Sequence, residues 1–506
     1  MRSDAAPSAV TRRLHPWSVL FQLTGQLRQF AVPVLVALVL GSQSRESEWE
    51  IYALPLLVPY ALFLVVRYRT FSYTFGDDEL VIRSGLFFKN ERHVPYSRIQ
   101  NLDAVQNAMH RLFGVVDVRV DTGSGAEADA TLSVVSWPAY EEMRRRVLDE
   151  RSVAHGHDAA DHTILALRPR DLAILGLIEN RAAVLVAAVL GLLWETGMLE
   201  RAVSRIGIDV AGKGVLRRLI VGFFRDGTLP FGDVFKTGAA IVGLLIVLRI
   251  LSVIWAIVRL YGFRLTLAGA DLRTEYGLLT RVSATVPLHR IQTLTVRRGL
   301  RHRWFDRASV GVETAGGRAA GEAQGQASRQ RESLAPIINE TDVPALLRIV
   351  LPDLSLEEPV WHGPAAGAFR RELRARLILA LIGAALSAFV VGWWAVAVLA
   401  CFAVWGWMGA RIYIAHLGWA VIDGAVLFRT GWIWRHLTVA RFSKVQAVSM
   451  TQSPFDRRHR MASVRVDTAG AGAESHRVNI PYLPVETATE LFGQLGTAAA
   501  RTAFRW

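Results

Sequence analysis

The sequence predicts an α+β membrane protein in which about six transmembrane helices form three hairpins, each followed by a small half-open β-barrel capped by a C-terminal helix. Three observations carry that prediction: a phrase that recurs three times at fixed intervals, a pair of apolar runs before each recurrence, and arginines gathered on one side of those runs. The phrase is a glycine, fifteen residues later a glutamine in a basic-aliphatic triplet, and twenty-one after that an acid followed by threonine. Its copies are Gly85, Arg98-Ile99-Gln100, Asp121-Thr122; Gly277, Arg290-Ile291-Gln292, Glu313-Thr314; and Gly431, Lys444-Val445-Gln446, Asp467-Thr468. Two intervals held across three weakly similar copies mean one structural unit used three times.

The apolar runs come in order before each copy. Residues 30–40 and 51–66 precede the first, 182–194 and 237–258 the second, 377–391 and 395–407 the third. Several are shorter than the roughly 20 residues of a spanning helix. The first member of each of the first two pairs is lengthened backwards by an amphipathic lead, at 17–29 with Arg28 and at 172–180 before Arg181, that fits a helix lying at the interface. Buried helices of a soluble protein are the alternative, disfavoured because three such pairs stand in step with three repeats. The chain divides into a lead and hairpin at 1–70, a barrel at 71–150, a linker at 151–170, a hairpin with a long outside loop at 171–260, a barrel at 261–352, a hairpin at 353–412 and a barrel at 413–498. A Gly-, Ala- and Gln-rich stretch at 316–331 reads as a disordered insertion.

Composition agrees with this mixture. Hydrophobic residues make up 52% of the 506, with 15 tryptophans, yet 20% are charged, and the mean hydropathy is +0.27. That is too apolar for an ordinary soluble chain and too charged for a pure bundle. The formal charge of +14 suits an anionic membrane surface better than nucleic acid, because it is spread along the ends of the apolar runs and not gathered in one stripe with stacking aromatics. The single cysteine, Cys401, permits no intrachain disulfide. No small-residue cleavage site follows the first apolar run, which points away from a removed signal peptide.

Orientation follows from the arginines. Arg67, Arg69, Arg168, Arg170, Arg259, Arg264, Arg370, Arg371, Arg374, Arg376 and Arg411 all lie on the side carrying the repeats. In the first hairpin loop Arg45 is outnumbered by Glu46, Glu48 and Glu50. Positive-inside bias places the amino terminus and all three repeats in the cytoplasm of a multi-pass inner-membrane protein. The long loop at 195–236 carries more basic than acidic residues, but long loops obey this bias poorly.

Within the first repeat, alternating or apolar runs at 71–75, 80–82, 94–102, 115–120 and 132–135 read as strands, with turn chemistry at Gly76-Asp77-Asp78 and Gly123-Ser124-Gly125. Trp137-Pro138 then opens a helix through Leu148. Helices at 341–350 and 484–495 close the other copies. The phrases VPYSRIQN at 94–101 and VPLHRIQT at 286–293, with the later strand ending in Asp or Glu plus Thr, resemble the bacterial pleckstrin-homology domain of the membrane-flanked, YdbS/YdbT-like family. The resemblance covers most of the chain and implies a PH-like fold without naming a ligand. The third copy departs from it, with Ala440-Arg441-Phe442-Ser443 in place of the proline-led turn.

Candidate contacts follow. Ile99, Ile291 and Val445 are expected in the barrel core, their neighbours holding register through hydrogen bonds; the other reading gives Arg98, Arg290 and Lys444 to phosphate. Asp121, Glu313 and Asp467 read as turn or network acids. Arg297, Arg298, Arg301, Arg303 and Arg307, and Arg457, Arg458 and Arg460, lie beside Trp304-Phe305 and Pro454-Phe455 and are the candidates for anionic headgroups; His110 and Arg111 occupy the corresponding region of the first copy. Arg249 interrupts an apolar run, where a charge needs a partner such as Glu179 or Glu195 or a wet cavity. Residues 207–213 have phosphate-loop spacing, but Gly214 stands where Ser or Thr is needed. His155, His157, Asp158, Asp161 and His162 are metal-capable but lie in a linker with nothing to fix their geometry. With no catalytic constellation and no cofactor motif, the expectation is a non-enzymatic scaffold or adaptor contacting lipid headgroups and a membrane-protein partner; a transporter with Arg249 in its path is the alternative.

Overall fold

The computed structural model describes residues 11–13, 66, 68–85, 89–99, 101–122, 130–155, 162–179, 191, 231–314, 333–354, 359–468 and 478–501. The expected apolar runs at 30–40 and 51–65, all but Gly191 of 182–194, the lead at 17–29, the loop at 195–230 with its glycine-rich decoy, the insertion at 316–331, the turn at 123–125, Gln100, His157, Asp158 and Asp161 lie outside the described residues.

The first copy comprises β1 (Thr11–Arg13), β2 (Ser72–Phe75), β3 (Glu79–Ser84), β4 (Asn90–Pro95), a one-turn helix Tyr96–Arg98, β5 (Asn101–Gln106), α1 (Ala108–Leu112), β6 (Val115–Asp121), β7 (Ala130–Ser136) and α2 (Trp137–His155). The second has β8 (His162–Ala166), α3 (Pro169–Ile178), α4 (Phe231–Leu260), β9 (Arg264–Ala268), β10 (Asp271–Tyr276), β11 (Arg281–Pro287), a one-turn helix Leu288–Arg290, β12 (Ile291–Arg298), α5 (Leu300–Trp304), β13 (Arg307–Thr314), β14 (Ser333–Asn339) and α6 (Val343–Val350). The third has α7 (Ala368–Val391), α8 (Ala395–Ala415), β15 (Gly418–Ile422), β16 (Ala425–Thr430), β17 (Arg435–Arg441), a one-turn helix Phe442–Lys444, β18 (Val445–Thr451), α9 (Pro454–Arg458), β19 (Met461–Thr468), β20 (Val478–Pro484) and α10 (Val485–Arg501).

Each copy is therefore two three-stranded antiparallel half-sheets joined by one helical turn and closed by a helix. Strands such as β10 and β13 bury every second residue, which sends one face into the barrel. Where a continuous strand at 94–102 is expected, the chain breaks at the one-turn helix to pass from one half-sheet to the other.

The recurrent phrase has a geometric reason. Gly85, Gly277 and Gly431 have φ of 112°, 114° and 88°. A Cβ at Gly277 or Gly431 would collide with the carbonyl oxygen of Thr280 or Trp434, so the hairpin turn accepts only glycine there. Ile99, Ile291 and Val445 are buried. Gln292 is the extra residue of a β-bulge, since Ile291 pairs with Thr314 and Thr293 with Glu313; Gln446 repeats this between Val445–Thr468 and Ala447–Asp467. The acid sits opposite the residue after the glutamine in all three copies. In the second, Thr293 Oγ1 donates to Glu313 Oε2 at 2.7 Å.

Two features of the repeat are invisible in the sequence pattern. A short edge segment lying before each hairpin returns to cover the first strand of the following barrel: β1 on β2, β8 on β9, and a single bridge from His362 to Trp419. The segment 151–170 thus contains a strand and the start of α3. The copies are also stitched together by strand pairing. β11 continues the sheet of β5 and β17 that of β12, giving a seven-stranded sheet shared by copies one and two and a six-stranded sheet shared by two and three.

Among the described residues, two segments are long and apolar enough to cross a membrane: Val242–Leu260, of mean hydropathy 2.3, and Gly392–Ala415, of mean hydropathy 1.7. α7 and α8 form a hairpin turning at Gly392–Trp394, with Ala380, Ala384, Gly406 and Ala410 where they touch; small residues let the backbones approach. α3, whose sequence suggested an interfacial lead, packs instead into the second barrel's core through Leu172, Leu175 and Ile178.

Candidate functional site at the helix ends

The short helices α1, α5 and α9 each connect the first two strands of a second half-sheet, and they carry the basic clusters. α5 lies where α3 and α4 meet: Arg301 Nη1 donates to the Leu177 carbonyl at 3.1 Å, and Arg249 Nη1 reaches the same oxygen at 3.3 Å. A carbonyl at the negative end of helix α3 thus draws two guanidinium groups together. Burial, and then the Arg249 charge, lower the Arg301 pKa. Ser252 Oγ donates to the Glu179 carbonyl at 2.9 Å beside them. Arg249 itself edges a groove of about 390 Å³ whose other lining residues are apolar, among them Leu177, Ile246 and Val253.

The hairpin turns adjoin this region. Gly277 N–H donates to the Tyr261 carbonyl at 2.8 Å and Leu278 N–H to that of Val258 at 3.0 Å, fixing the β10–β11 turn to the end of α4. α1 of the first copy meets the same turn through Arg111 Nη1 to the Leu278 carbonyl, 2.8 Å, and Thr280 Oγ1 to Asn107 Oδ1, 3.2 Å. Pairing of Arg298 with Arg435 puts the β16–β17 turn, Trp432-Ile433-Trp434, beside α5 in the same way. In the third copy Arg371 at the foot of α7 bonds Asp456 of α9 at 3.2 Å and lies over Phe455, and Arg374 meets His459 at 3.0 Å.

The result is a rim around the helix ends on which large apolar side chains face outward: Leu279, Trp304 (70% exposed), Trp432, Trp434 and Phe455 (57% exposed). Of the eight arginines singled out in the sequence, three have internal work. Arg298 pairs with Glu340, Arg301 bonds Leu177, and Arg307 holds Asp171 at 2.9 Å in a largely buried pair at the start of α3. The side chains of Arg297, Arg303, Arg457, Arg458 and Arg460 form no ion pair or side-chain hydrogen bond among the described residues, and Arg457, Arg458 and Arg460 are exposed.

The structure does not bring the motif cations to this rim. Arg98, Arg290 and Lys444 end the one-turn helices, and the eight residues of β12 put about 25 Å between Arg290 and α5. Burial, and then neighbouring Arg441, lower the Lys444 pKa, as expected of a cation set into a protein seam. Arg441, the departure of the third copy, is buried and donates through Nη2 to the Val350 carbonyl at 3.0 Å, at the end of α6. Sequence reasoning missed the apolar turn tips, although GLLT at 277–280 and GWIW at 431–434 show them as apolar residues directly after the recurrent glycine. No cluster of His, Cys, Asp and Glu suited to a metal ion occurs among the described residues.

Bipartite barrels closed by a helix and carried beside apolar helices define a membrane-associated protein built from PH-like modules. The chain belongs to the bacterial PH domain family, whose model matches residues 20–151, 216–353 and 375–499. It is similar to the UPF0699 transmembrane protein YdbT of Bacillus subtilis (strain 168), 20% identical over 469 residues that cover 90% of this chain and 92% of that protein. No solved structure matches it significantly.

Proposed function

We propose that the protein is a multi-pass scaffold of the cytoplasmic membrane, with about six spanning helices in three hairpins, whose three PH-like barrels face the cytoplasm and hold anionic lipid headgroups and a membrane-protein partner without catalysing a reaction. The observation that carries this reading is the rim, where outward-facing Trp304, Trp434 and Phe455 stand beside Arg303, Arg457, Arg458 and Arg460 next to the apolar helices α4 and α7. Amphipathic aromatics suit the headgroup level, and each basic side chain near an anionic surface contributes about 1 kcal/mol. Because the helices already hold the barrels at the bilayer, contacts too weak to recruit a soluble protein are populated here.

The test uses the full chain extracted in mild detergent, with bound phospholipid counted by mass spectrometry. Replacing Arg303, Arg457, Arg458 and Arg460 by Gln together should lower retained phosphatidylglycerol severalfold and leave phosphatidylethanolamine unchanged; equal retention of both lipids by the two proteins would refute headgroup contact. The transporter alternative rests on Arg249, whose guanidinium is bonded to the Leu177 carbonyl in an otherwise apolar groove, a setting better suited to joining helices than to passing a polar solute. Arg249→Leu should abolish function in a transporter and leave a scaffold nearly intact.

A further inference from the structure

The two junctions inside the chain are the same junction. At the first, Gln106 pairs with Arg281, Val105 with Val282 and Ala104 with Ser283. At the second, Arg298 pairs with Arg435, Arg297 with His436 and Val296 with Leu437. Aligned on the recurrent glycine and glutamine, these are equivalent residues in equivalent register. A single rule therefore joins each copy to the next: the opening strand of the second half-sheet takes the closing strand of the next copy's first half-sheet.

The rule leaves one strand of each kind over. Among the described residues, β18 opens the second half-sheet of the last copy and ends its sheet, and β4 closes the first half-sheet of the first copy and ends its own. Coverage changes accordingly. Six of the eight residues of β12 are buried, whereas β18 buries only Val445; Val94 alone is buried in β4, against four residues of β17. α10 covers the inner face of the last half-sheet through Ala488, Leu491 and Leu495 and forms no backbone hydrogen bond to β18. Free edges are normally blunted by charge, proline or a bulge within the strand. Past the bulge at Gln446, β18 reads Ala-Val-Ser-Met-Thr, with none of these.

We propose that β18 of one molecule pairs with β4 of a second copy of this chain, continuing the internal series head to tail. The repeated register sets the contacts: Thr451 opposite Asn90, Met450 opposite Glu91, Ser449 opposite Arg92, Val448 opposite His93 and Ala447 opposite Val94. Such an interface is heterologous, so it propagates from molecule to molecule and leaves no two-fold dimer. Main-chain hydrogen bonds along the strand supply its affinity, as in other strand additions, and a shared bilayer raises the effective concentration of the two ends. The inference does not depend on lipid contact.

Disulfide trapping of the full chain in liposomes tests it, in a Cys401→Ala background. Molecules carrying Met450→Cys are mixed with molecules carrying Glu91→Cys and oxidised. Residues opposite one another lie about 5 Å apart at Cα, within disulfide reach, while moving the first cysteine to Gln446→Cys displaces it by about 13 Å along the strand. The mixed Met450–Glu91 pair should cross-link at least about tenfold faster than the Gln446–Glu91 pair, in keeping with that difference in reach. Three results would overturn the proposal: no cross-link, equal rates for the two pairs, or cross-linking of Met450→Cys molecules to each other without the Glu91→Cys partner, which signals two-fold pairing.

Discussion

Although the two junctions share a register, they are not equally made. The one between copies two and three runs over six residue pairs, Thr293–Ala440 to Arg298–Arg435, and its core is common property: Leu294 and Val296 pack in one cluster with Ala425, Leu427 and Val439. Between copies one and two only three pairs form, the first copy keeps a core of its own, and a polar cleft of about 360 Å³ opens beside the seam, lined by Glu141, Arg144, Arg273, Glu275 and Arg281 among others. The same sheet extension thus fuses two barrels in one place and joins two with separate cores in the other. The difference lies in what backs the strands, since apolar area removed from water is what welds one barrel to the next.

The two junctions should respond most differently to Leu294→Ala. Leu294 is fully buried at the shared core, and such truncations cost about 2–5 kcal/mol. Amide hydrogen exchange of the full chain should show protection falling together in the second and third barrels while the first is unchanged. Loss confined to the second barrel would mean that the two do not unfold as a unit.

Next comes Arg441→Ala. The guanidinium is buried, its pKa lowered chiefly by that burial and supported by Asp353 at 3.8 Å. Removing it leaves the Val350 carbonyl without its donor, at a cost of about 1–3 kcal/mol. Exchange should rise at the end of α6 and along β17, and a variant with unaltered exchange there would show that the seam is held by its apolar residues alone.

At the junction of copies one and two the matching change is Arg281→Ala. Arg281 is half exposed and paired with Glu275 at 3.2 Å, and a solvated pair of this kind contributes less than about 1 kcal/mol. Stability should scarcely move. A loss as large as that of Arg441→Ala would erase the distinction between the two seams.

Much of this architecture was readable from the chain, and the reason is local chemistry. A glycine forced by φ near 110° at Gly85 and Gly277, a bulge glutamine and the acid that faces its neighbour from the adjacent strand all lie within one barrel, so their spacing survives when the rest of the sequence drifts. The junctions could not be read this way. Nothing in Thr293 to Arg298 distinguishes a strand that will be covered from β18, which is not, because coverage depends on a strand well over a hundred residues away in sequence. Among the basic residues, the clusters at 297–307 and 457–460 were legible only as wholes, and Arg298, Arg301 and Arg307 could not be told from Arg303 and Arg458 until Glu340, Leu177 and Asp171 came beside them. Charge runs give sign and rough position; which members stay in solvent is decided by tertiary contacts.

A weaker, pH-dependent contribution holds α5, beside the fused junction. His302 Nδ1 accepts a hydrogen bond from Gly299 N–H at 3.4 Å, which requires an unprotonated ring nitrogen, and burial followed by the charge of Arg301 lowers the ring's pKa. The unfolded chain therefore takes up a proton before the folded one does. The stabilisation is complete above the ordinary imidazole range and declines as pH falls from about 7 to about 5. Because the ring keeps part of its solvent contact, the decline amounts to less than about 1 kcal/mol. Protection at residues 299–305, relative to the intrinsic exchange rate at each pH, should fall over that interval in the wild-type chain and stay level in His302→Asn, which has an acceptor that does not titrate. A fall of equal size in both proteins would assign the pH response to another group and refute the claim that α5 is held in place by an uncharged His302.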